Sequence, residues 1–382
     1  MFQYIKTHKL LISSNLFLII VIIIIKIGTF GSGIGKLFNN TKETKNCFQV
    51  DNIYRYRNFG YQWKKITCAA EFQPRDGAGA LVFLDSLRLI GGWNPSDKNN
   101  FPLVCNNEIW SSNDGDSWKR TKKNTFVSLN KINNSDWEGR HSAGYVVFQK
   151  KMWIVGGDAN QGHYQSDIWS SLNGVEWVLV AKNPPWSPRV LHSTVVFKEK
   201  IFVIGGQSLP QFAQSVDYFY NDVWSSSDGI NWDLLIKHAP FKPRGMISNP
   251  IVFKDKIWII GGGTFETPNN PLRKFYNDIW NSEDGIKWNL ISNQAPWSPR
   301  QYHSVVVFDN KIWVIAGFDS EKRNTNDVWF SEDGFNWTNL PNTPWKARHA
   351  TSVFVFKNSL FIVSGNNMEN DVWKLELLHE KK

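Results

Sequence analysis

The sequence has few cysteines, and its polar residues form no recognised catalytic or metal-binding motif. Only Cys47, Cys68 and Cys105 occur among 382 residues, and their spacing matches no metal site. No HExxH segment is present either. We therefore expect no metal and no other cofactor. In an exported protein Cys68 and Cys105 could form a disulfide, because both lie in connections around the first repeat described below, whereas three free thiols would suit a reducing compartment.

A strong basic charge is also missing from most of the chain. The formal net charge is +9, but residues 1–60 contain eight Lys and Arg against two acids, which leaves about +3 for the remainder. A nucleic-acid-binding domain normally concentrates positive charge on one face. The sequence therefore favours partners other than nucleic acid.

The one long apolar run lies near the amino terminus. A basic segment, 1–9, contains Lys6 and Lys9, residues 10–27 are predominantly apolar, and a linker follows at 28–55. The apolar run is intermediate in length between a signal-peptide core and a membrane span. We expect a transmembrane signal-anchor, with a cleaved signal peptide as the alternative, so the protein is membrane-anchored with the remainder outside, or secreted.

Tryptophan is abundant instead, and 19 of the 20 tryptophans fall on a pattern that occurs six times. In the third copy, Arg189 is followed by Gly205-Gly206, Trp224 and Trp232. The arginines that start the six copies are Arg75, Arg140, Arg189, Arg244, Arg300 and Arg348. The tryptophans in the middle of the copies are Trp110, Trp169, Trp224, Trp280, Trp329 and Trp373. A period of about 40 to 55 residues is typical of a propeller or a repeat array.

Each copy contains four short runs rich in Val, Ile, Phe and Trp, separated by Gly, Asn, Asp or Lys, which predicts four β-strands. In the third copy these strands, named a to d, are expected at 194–197, 200–204, 222–225 and 231–235. Two-residue hairpins and Asp-Gly turns join a to b and c to d. The whole chain is therefore predicted to be all-β apart from its amino terminus.

The last copy lacks strand d, and a matching segment occurs before the first copy. Trp63 precedes Arg75 by 12 residues, the same separation as that of Trp232 from Arg244. We expect the strand containing Trp63 to complete the last sheet and close a six-bladed propeller over 56–378, with 379–382 as a tail. Closure removes exposed sheet edges.

The repeated Arg-x-x-His-Ser, Ile-Gly-Gly and downstream tryptophan resemble kelch repeats, which form the blades of kelch propellers and of the galactose oxidase central domain. The resemblance spans about residues 56 to 378 and is specific because six copies are in register. It implies a six-bladed β-propeller. The galactose oxidase copper chemistry is not implied, because it needs further ligands and a carboxyl-terminal domain.

Strand alternation assigns the loops to two faces. The loop face carries the d-to-a linkers and the long, dissimilar b-to-c loops, and the hairpin face carries the short a-to-b and c-to-d turns. The six arginines lie on the loop face, together with one acid at the start of each strand c: Glu108, Asp167, Asp222, Asp278, Asp327 and Asp371. Six cations could form a receptor for anions, but one acid for each arginine favours internal ion pairs that set the spacing of the blades.

Positions that differ between copies are better candidates for a ligand site. The residues that directly follow three of the arginines, Asp76, His141 and His349, are expected at the mouth of the channel. Trp93, the tryptophan outside the pattern, could stack on a ligand or pack on its own loop. His163 and Tyr164 form a further polar candidate in a b-to-c loop, with no spacing that indicates a metal.

Two functions remain open. The first is a non-catalytic binding protein that recognises a glycan or a protein through the loop face. The second is a carbohydrate-active kelch enzyme such as a sialic acid mutarotase, which needs only a few acid and base groups around a sugar. We favour the binding protein.

Overall fold

Six antiparallel β-sheets form the protein. The computed structural model describes residues 53–97, 101, 103–127, 136–159, 163–208, 218–245, 250–264 and 272–378. Within them the only helix is a 3-10 turn, Arg57–Phe59, so the fold is all-β. The predicted anchor at 10–27 lies outside the described residues, and no helix within them has the length and apolar character needed to cross a bilayer.

In blades one to five the strands run in sequence order from the inside outwards, and blade five has an additional short strand, Arg300–Gln301. In blade six the two outer strands come from the start of the described chain. Blades one to three contain β3 (Gly79–Phe83), β4 (Ser86–Ile90), β5 (Ile109–Ser112), β6 (Lys119–Lys122), β7 (Gly144–Phe148), β8 (Lys151–Asp158), β9 (Tyr164–Ser171), β10 (Val178–Ala181), β11 (Ser193–Phe197), β12 (Lys200–Gln207), β13 (Phe219–Ser226) and β14 (Asp233–Ile236). Blades four to six contain β15 (Ile251–Phe253), β16 (Lys256–Thr264), β17 (Lys274–Ser282), β18 (Trp288–Ser292), β19 (Arg300–Gln301), β20 (Ser304–Phe308), β21 (Lys311–Asp319), β22 (Arg323–Ser331), β23 (Thr338–Leu340), β24 (Ser352–Phe356), β25 (Ser359–Val363) and β26 (Val372–Leu377), with β2 (Tyr61–Thr67) and β1 (Ile53–Tyr56) outside β26.

The innermost strands contact one another in cyclic order. Strand β3 contacts β7, β7 contacts β11, and the series continues through β15, β20 and β24 back to β3. In the sixth sheet β2 pairs with β26, with Trp63 opposite Leu375. Trp63 is fully buried, and its ring meets the ring of Trp345 edge-on at 6.0 Å. The six sheets thus form a six-bladed propeller.

The hydrophobic core is divided among the blade interfaces. Between blades one and two, for example, Leu81 and Ile109 of one sheet pack against Met152, Ile154 and Trp169 of the next. Each sheet therefore buries both of its faces against its neighbours, which is why the strands are apolar on both sides.

The two kinds of turn on the hairpin face have regular geometry. In the a-to-b hairpin of blade three, Lys198 and Glu199 have φ of +45° and +56°, as a type I′ turn requires. In the c-to-d turn, Ser226 Oγ accepts the Gly229 N–H at 2.8 Å, and Asp228 Oδ1 accepts the N–H groups of the two residues that follow Gly229, each at 2.8 Å. These backbone donors lower the pKa of Asp228 to about 2.

The cysteines do not pair as the export hypothesis suggested. Cys105 is a free, buried thiol, whereas Cys68 is disulfide-bonded. A Cys68–Cys105 bridge is therefore wrong. The partner of Cys68 lies outside the described residues.

Candidate functional site

Each blade contains the same buried ion-pair unit on the loop face. In all six blades an arginine forms a salt bridge with the acid at the start of strand c: Arg75–Glu108, Arg140–Asp167, Arg189–Asp222, Arg244–Asp278, Arg300–Asp327 and Arg348–Asp371. In each blade the indole of the mid-unit tryptophan also donates to that acid. The arginine side chains are at most 2% exposed.

The guanidinium donors of these units are used inside the blade. Arg348 donates from Nη1 and Nη2 to Asp371 at 2.7 and 2.8 Å, from Nη1 to the Ser364 carbonyl at 3.0 Å and from Nε to the Lys346 carbonyl at 3.1 Å. The other five arginines make the corresponding carbonyl contacts. The repeated arginines therefore join strands a, b and c of each blade and have little capacity left for an anionic ligand.

A layer of unlike residues lies one position further along the chain. The residue after each arginine is linked to a residue at the end of strand b by a short antiparallel bridge or a backbone hydrogen bond. That second residue follows the Gly-Gly pair, or the corresponding Ala316-Gly317 in blade five and Ser364-Gly365 in blade six. We call these six pairs the mouth: Asp76 with Trp93, His141 with Asp158, Val190 with Gln207, Gly245 with Gly263, Gln301 with Phe318, and His349 with Asn366. The backbone positions match, but the side chains differ in every blade.

The floor of the mouth is formed by residues in a left-handed backbone conformation. The residues two positions after the arginines, Gly77, Ser142, Leu191, Tyr302 and Ala350, have φ between +50° and +56°. Their N–H groups and carbonyls link successive blades, for example from Ser142 N to Gly77 O at 3.0 Å and from Gly77 N to Ala350 O at 3.0 Å. Residues other than glycine rarely adopt this backbone conformation. Here it is stabilised by the hydrogen bonds between blades.

Asp76 lies at the bottom of the mouth in blade one. Its carboxylate accepts a hydrogen bond from Asn366 Nδ2 at 2.6 Å. Burial raises the pKa of Asp76 to about 6, although His141 and Asn366 oppose the rise. The structure thus brings Asp76 and His141 of the predicted set together, and it adds Asn366 from blade six.

His141 also meets a residue that sequence reasoning did not assign to the site. The Sγ atom of Cys105 lies 3.3 Å from His141 Nδ1, which is itself 3.1 Å from the Asp158 carbonyl oxygen. Burial raises the pKa of the Cys105 thiol, and Cys105 is 0% exposed. The thiol therefore remains protonated and has a packing role rather than that of a nucleophile. Trp93 is partly buried and its ring lies 6.4 Å from the His141 ring.

His163 and Tyr164 lie in blade two, where His163 directly precedes strand β9 and Tyr164 is its first residue. His163 Nε2 is 3.1 Å from Glu138 Oε2, and this contact raises the pKa of His163. The hydroxyl of Tyr164 accepts a hydrogen bond from Gln207 Nε2 at 3.2 Å. Tyr164 therefore contacts the mouth through Gln207, whereas the His163 side chain is 44% exposed beside Glu138.

The part of the mouth formed by blades five and six is aromatic. The His349 ring lies 5.0 Å from the Tyr302 ring and 5.4 Å from the Phe318 ring, and Nδ1 is 2.5 Å from Asn324 Oδ1. Burial, with Arg273 nearby, lowers the pKa of His349 to about 4, so the imidazole is neutral at pH 7. The predicted histidines His141 and His349 thus occupy different surroundings, one beside Asp76 and Cys105 and one among aromatic rings.

Cavities also lie outside the mouth. One of about 520 Å³ adjoins the Arg189–Asp222 pair and is lined by Trp186 and Tyr220, one of about 700 Å³ lies on the hairpin face beside Asp309, and one of about 410 Å³ lies beside Glu108. The first is formed largely by the repeated ion-pair unit and its neighbours. Among the described residues no group of three His, Cys, Asp or Glu is arranged to hold a metal ion.

Comparison with known families agrees with the repeat pattern and the architecture. A model described as the DUF6242 beta propeller domain matches residues 145–283, and a model of the Kelch motif matches residues 299–329. No curated protein matches the chain. Together with the six blades, each containing the arginine, glycine and tryptophan pattern, these matches show a six-bladed β-propeller whose repeats are similar to the Kelch motif.

Proposed function

We propose that this propeller is a non-catalytic recognition protein that binds a glycan or a protein at the mouth on its loop face. One observation carries the proposal. The repeated arginines use most of their donors inside the blade, whereas the position directly after each arginine is Asp, His, Val, Gly or Gln, depending on the blade. Kelch propellers generally mediate protein interactions, which supports a recognition role.

The proposed location is a membrane surface or the exterior of the cell. The apolar segment 10–27 and its flanking lysines motivate this location. The disulfide-bonded state of Cys68 supports it, because structural disulfides persist mainly in oxidising compartments.

Asp76 favours a second candidate, a carbohydrate-active enzyme such as a sialic acid mutarotase. A buried carboxyl group with a pKa of about 6 can hold or release a proton near neutral pH. His141 is close enough to influence that titration.

The test uses the purified full-length chain. A glycan array and a panel of candidate protein ligands would be screened with the native chain, with Trp93→Ala and His349→Ala in the mouth, and with Lys357→Ala on the hairpin face. The proposal requires the two mouth substitutions to weaken binding and the hairpin-face substitution to leave it unchanged. Loss of binding only in Lys357→Ala would contradict it. Sialic acid anomer exchange, followed by NMR and accelerated by the native chain, would favour the enzyme.

A further inference from the structure

Blade four differs from the other five blades at the mouth because it has no side chains there. Gly245 and Gly263 occupy its two mouth positions, whereas every other blade has a side chain at both positions, such as Asp76 and Trp93. We call the part of the mouth at these two glycines, where blade four has no side chain of its own, the notch. Gly245 does not have a positive φ, so its backbone conformation does not by itself require glycine.

Glutamines from the two neighbouring blades reach into the notch. The Gln207 Oε1 atom lies 3.0 Å from the position that a Cβ on Gly245 would occupy. A Cβ on Gly263 would overlap first with the Lys274 carbonyl oxygen of the same blade and then with Gln301 Nε2. Gln207 is 5% exposed and Gln301 is 0% exposed. Side chains at the two glycine positions would therefore collide with the two amides.

Among the described residues, neither glutamine oxygen receives a hydrogen bond. Gln301 Nε2 donates to the carbonyls of Thr264 and Lys274 at 3.2 and 2.8 Å, which fixes the orientation of that amide. Gln207 contacts only the Tyr164 hydroxyl, so either orientation of its amide leaves one polar group without a partner. Buried polar groups without partners are rare and destabilising.

An aromatic surface adjoins the two amides. Phe275 pairs with Gly263 and Phe318 pairs with Gln301 in the sheet register, and the two rings stack at 6.2 Å with an angle of 28°. Both rings are partly exposed. A flat apolar surface next to a few fixed polar groups is the usual composition of a site for a small ligand.

We propose, on the basis of the proposed function, that the notch is a subsite for a neutral saccharide, whose hydroxyl groups pair with Gln207 and Gln301 while its C–H face packs on Phe275 and Phe318. A hydroxyl both donates and accepts, so it satisfies Gln301 Oε1 and either orientation of Gln207. A cationic ligand fits less well, because Arg273 lies over the Phe318 ring at 5.8 Å. Protein atoms cover both glutamine oxygens, so the proposed subsite requires neighbouring side chains to shift when the saccharide binds.

The experiment compares three substitutions with a matched control by calorimetric titration of the tightest neutral glycan found on the array. Gln207→Leu and Gln301→Leu remove the amide oxygens, and Gly245→Ala fills the notch. Gln62→Leu is the control, because Gln62 also donates one side-chain hydrogen bond, to Glu376 at 2.7 Å, but lies on the outer strand β2. All variants are full-length, and their folding is verified by thermal melting.

We expect each of the three notch substitutions to weaken saccharide binding by roughly tenfold or more, and Gln62→Leu to change it by less than about twofold. Unchanged affinity in folded Gln207→Leu and Gln301→Leu, or no neutral glycan bound by the native chain, would overturn the saccharide subsite. If a protein ligand were then lost in Trp93→Ala, the proposed function would still hold. Saccharide binding that no substitution in the mouth changes would contradict both.

Discussion

Arginine and the residue that follows it have opposite roles in this propeller. Arg300 is bonded to Asp327 and to two backbone carbonyls of its own blade, whereas Gln301, the next residue, extends to the carbonyls of blade four and retains an oxygen without a partner. A residue that occurs in every blade stabilises the blade. We propose that a residue that differs from blade to blade serves ligand binding, because the scaffold does not require its chemistry.

The largest expected effect is the loss of an ion-pair unit. In Arg348→Ala the Asp371 carboxylate, whose side chain is 6% exposed, would lose its cation, so the free energy of unfolding should fall by about 3 to 5 kcal/mol. Arg300→Ala should cost less, because its partner Asp327 is 31% exposed. Denaturant unfolding measures both. Equal stability of Arg348→Ala and the native chain would show that the unit does not stabilise the blade.

Asp76→Asn should have the opposite effect on stability. The pKa of Asp76 is raised in the folded state to about 6, so the folded state holds the proton more tightly and the free energy of unfolding falls as the pH rises from about 4 to 6. An asparagine at this position has no charge to bury, so it avoids this loss of stability, and its side-chain oxygen can still accept the hydrogen bond from Asn366. We expect a gain of about 3 kcal/mol at pH 7 and none at pH 3. A loss of stability at pH 7 would mean that the folded protein needs the charged carboxylate.

A buried histidine below the mouth should make the fold sensitive to acid. Burial and the neighbouring Arg300 lower the pKa of His303 to about 3, and Nε2 donates to the Ile260 carbonyl at 2.9 Å. The neutral His303 side chain contributes its full stabilisation above pH 6.5. That stabilisation is lost as the pH falls towards 3, by about 1.4 kcal/mol per pH unit. His303→Thr, which introduces the residue that blade six has as Thr351, should flatten the pH dependence of unfolding. An unchanged slope would assign the acid sensitivity to other groups.

The smallest effect is expected at the rim. His163 is 44% exposed and contacts Glu138, whose side chain is 18% exposed. His163→Gln should change the free energy of unfolding by less than about 1 kcal/mol, as is usual for surface ion pairs. A larger loss, measured by the same denaturant titration, would place His163 in the scaffold rather than at its surface.

The sequence predicted the propeller well because its architecture depends on repeated residues. In blade three strand a was expected at 194–197 and lies at Ser193–Phe197. Strands b and c extend further than expected, to Gln207 and from Phe219, because Gly205 and Gly206 adopt positive φ and pairing resumes after the bulge.

The mouth was only partly predictable. The position after each arginine identified Asp76, His141 and His349, but it gave no sign of their partners Asn366, Cys105 and Phe318. These contacts join different blades and depend on individual side chains, which repetition does not specify. The position after Gly-Gly has the same register and would have identified Asp158 and Gln207.

Two measurements on Arg300→Ala test the central claim most directly. One is its affinity for the glycan selected on the array, measured at a temperature where the variant is folded, and the other is its free energy of unfolding. The account predicts reduced stability with affinity within about twofold of the native value, because the arginine has no free donor for a ligand. Normal stability with lost binding would contradict it, and would make the repeated arginines the ligand-binding residues.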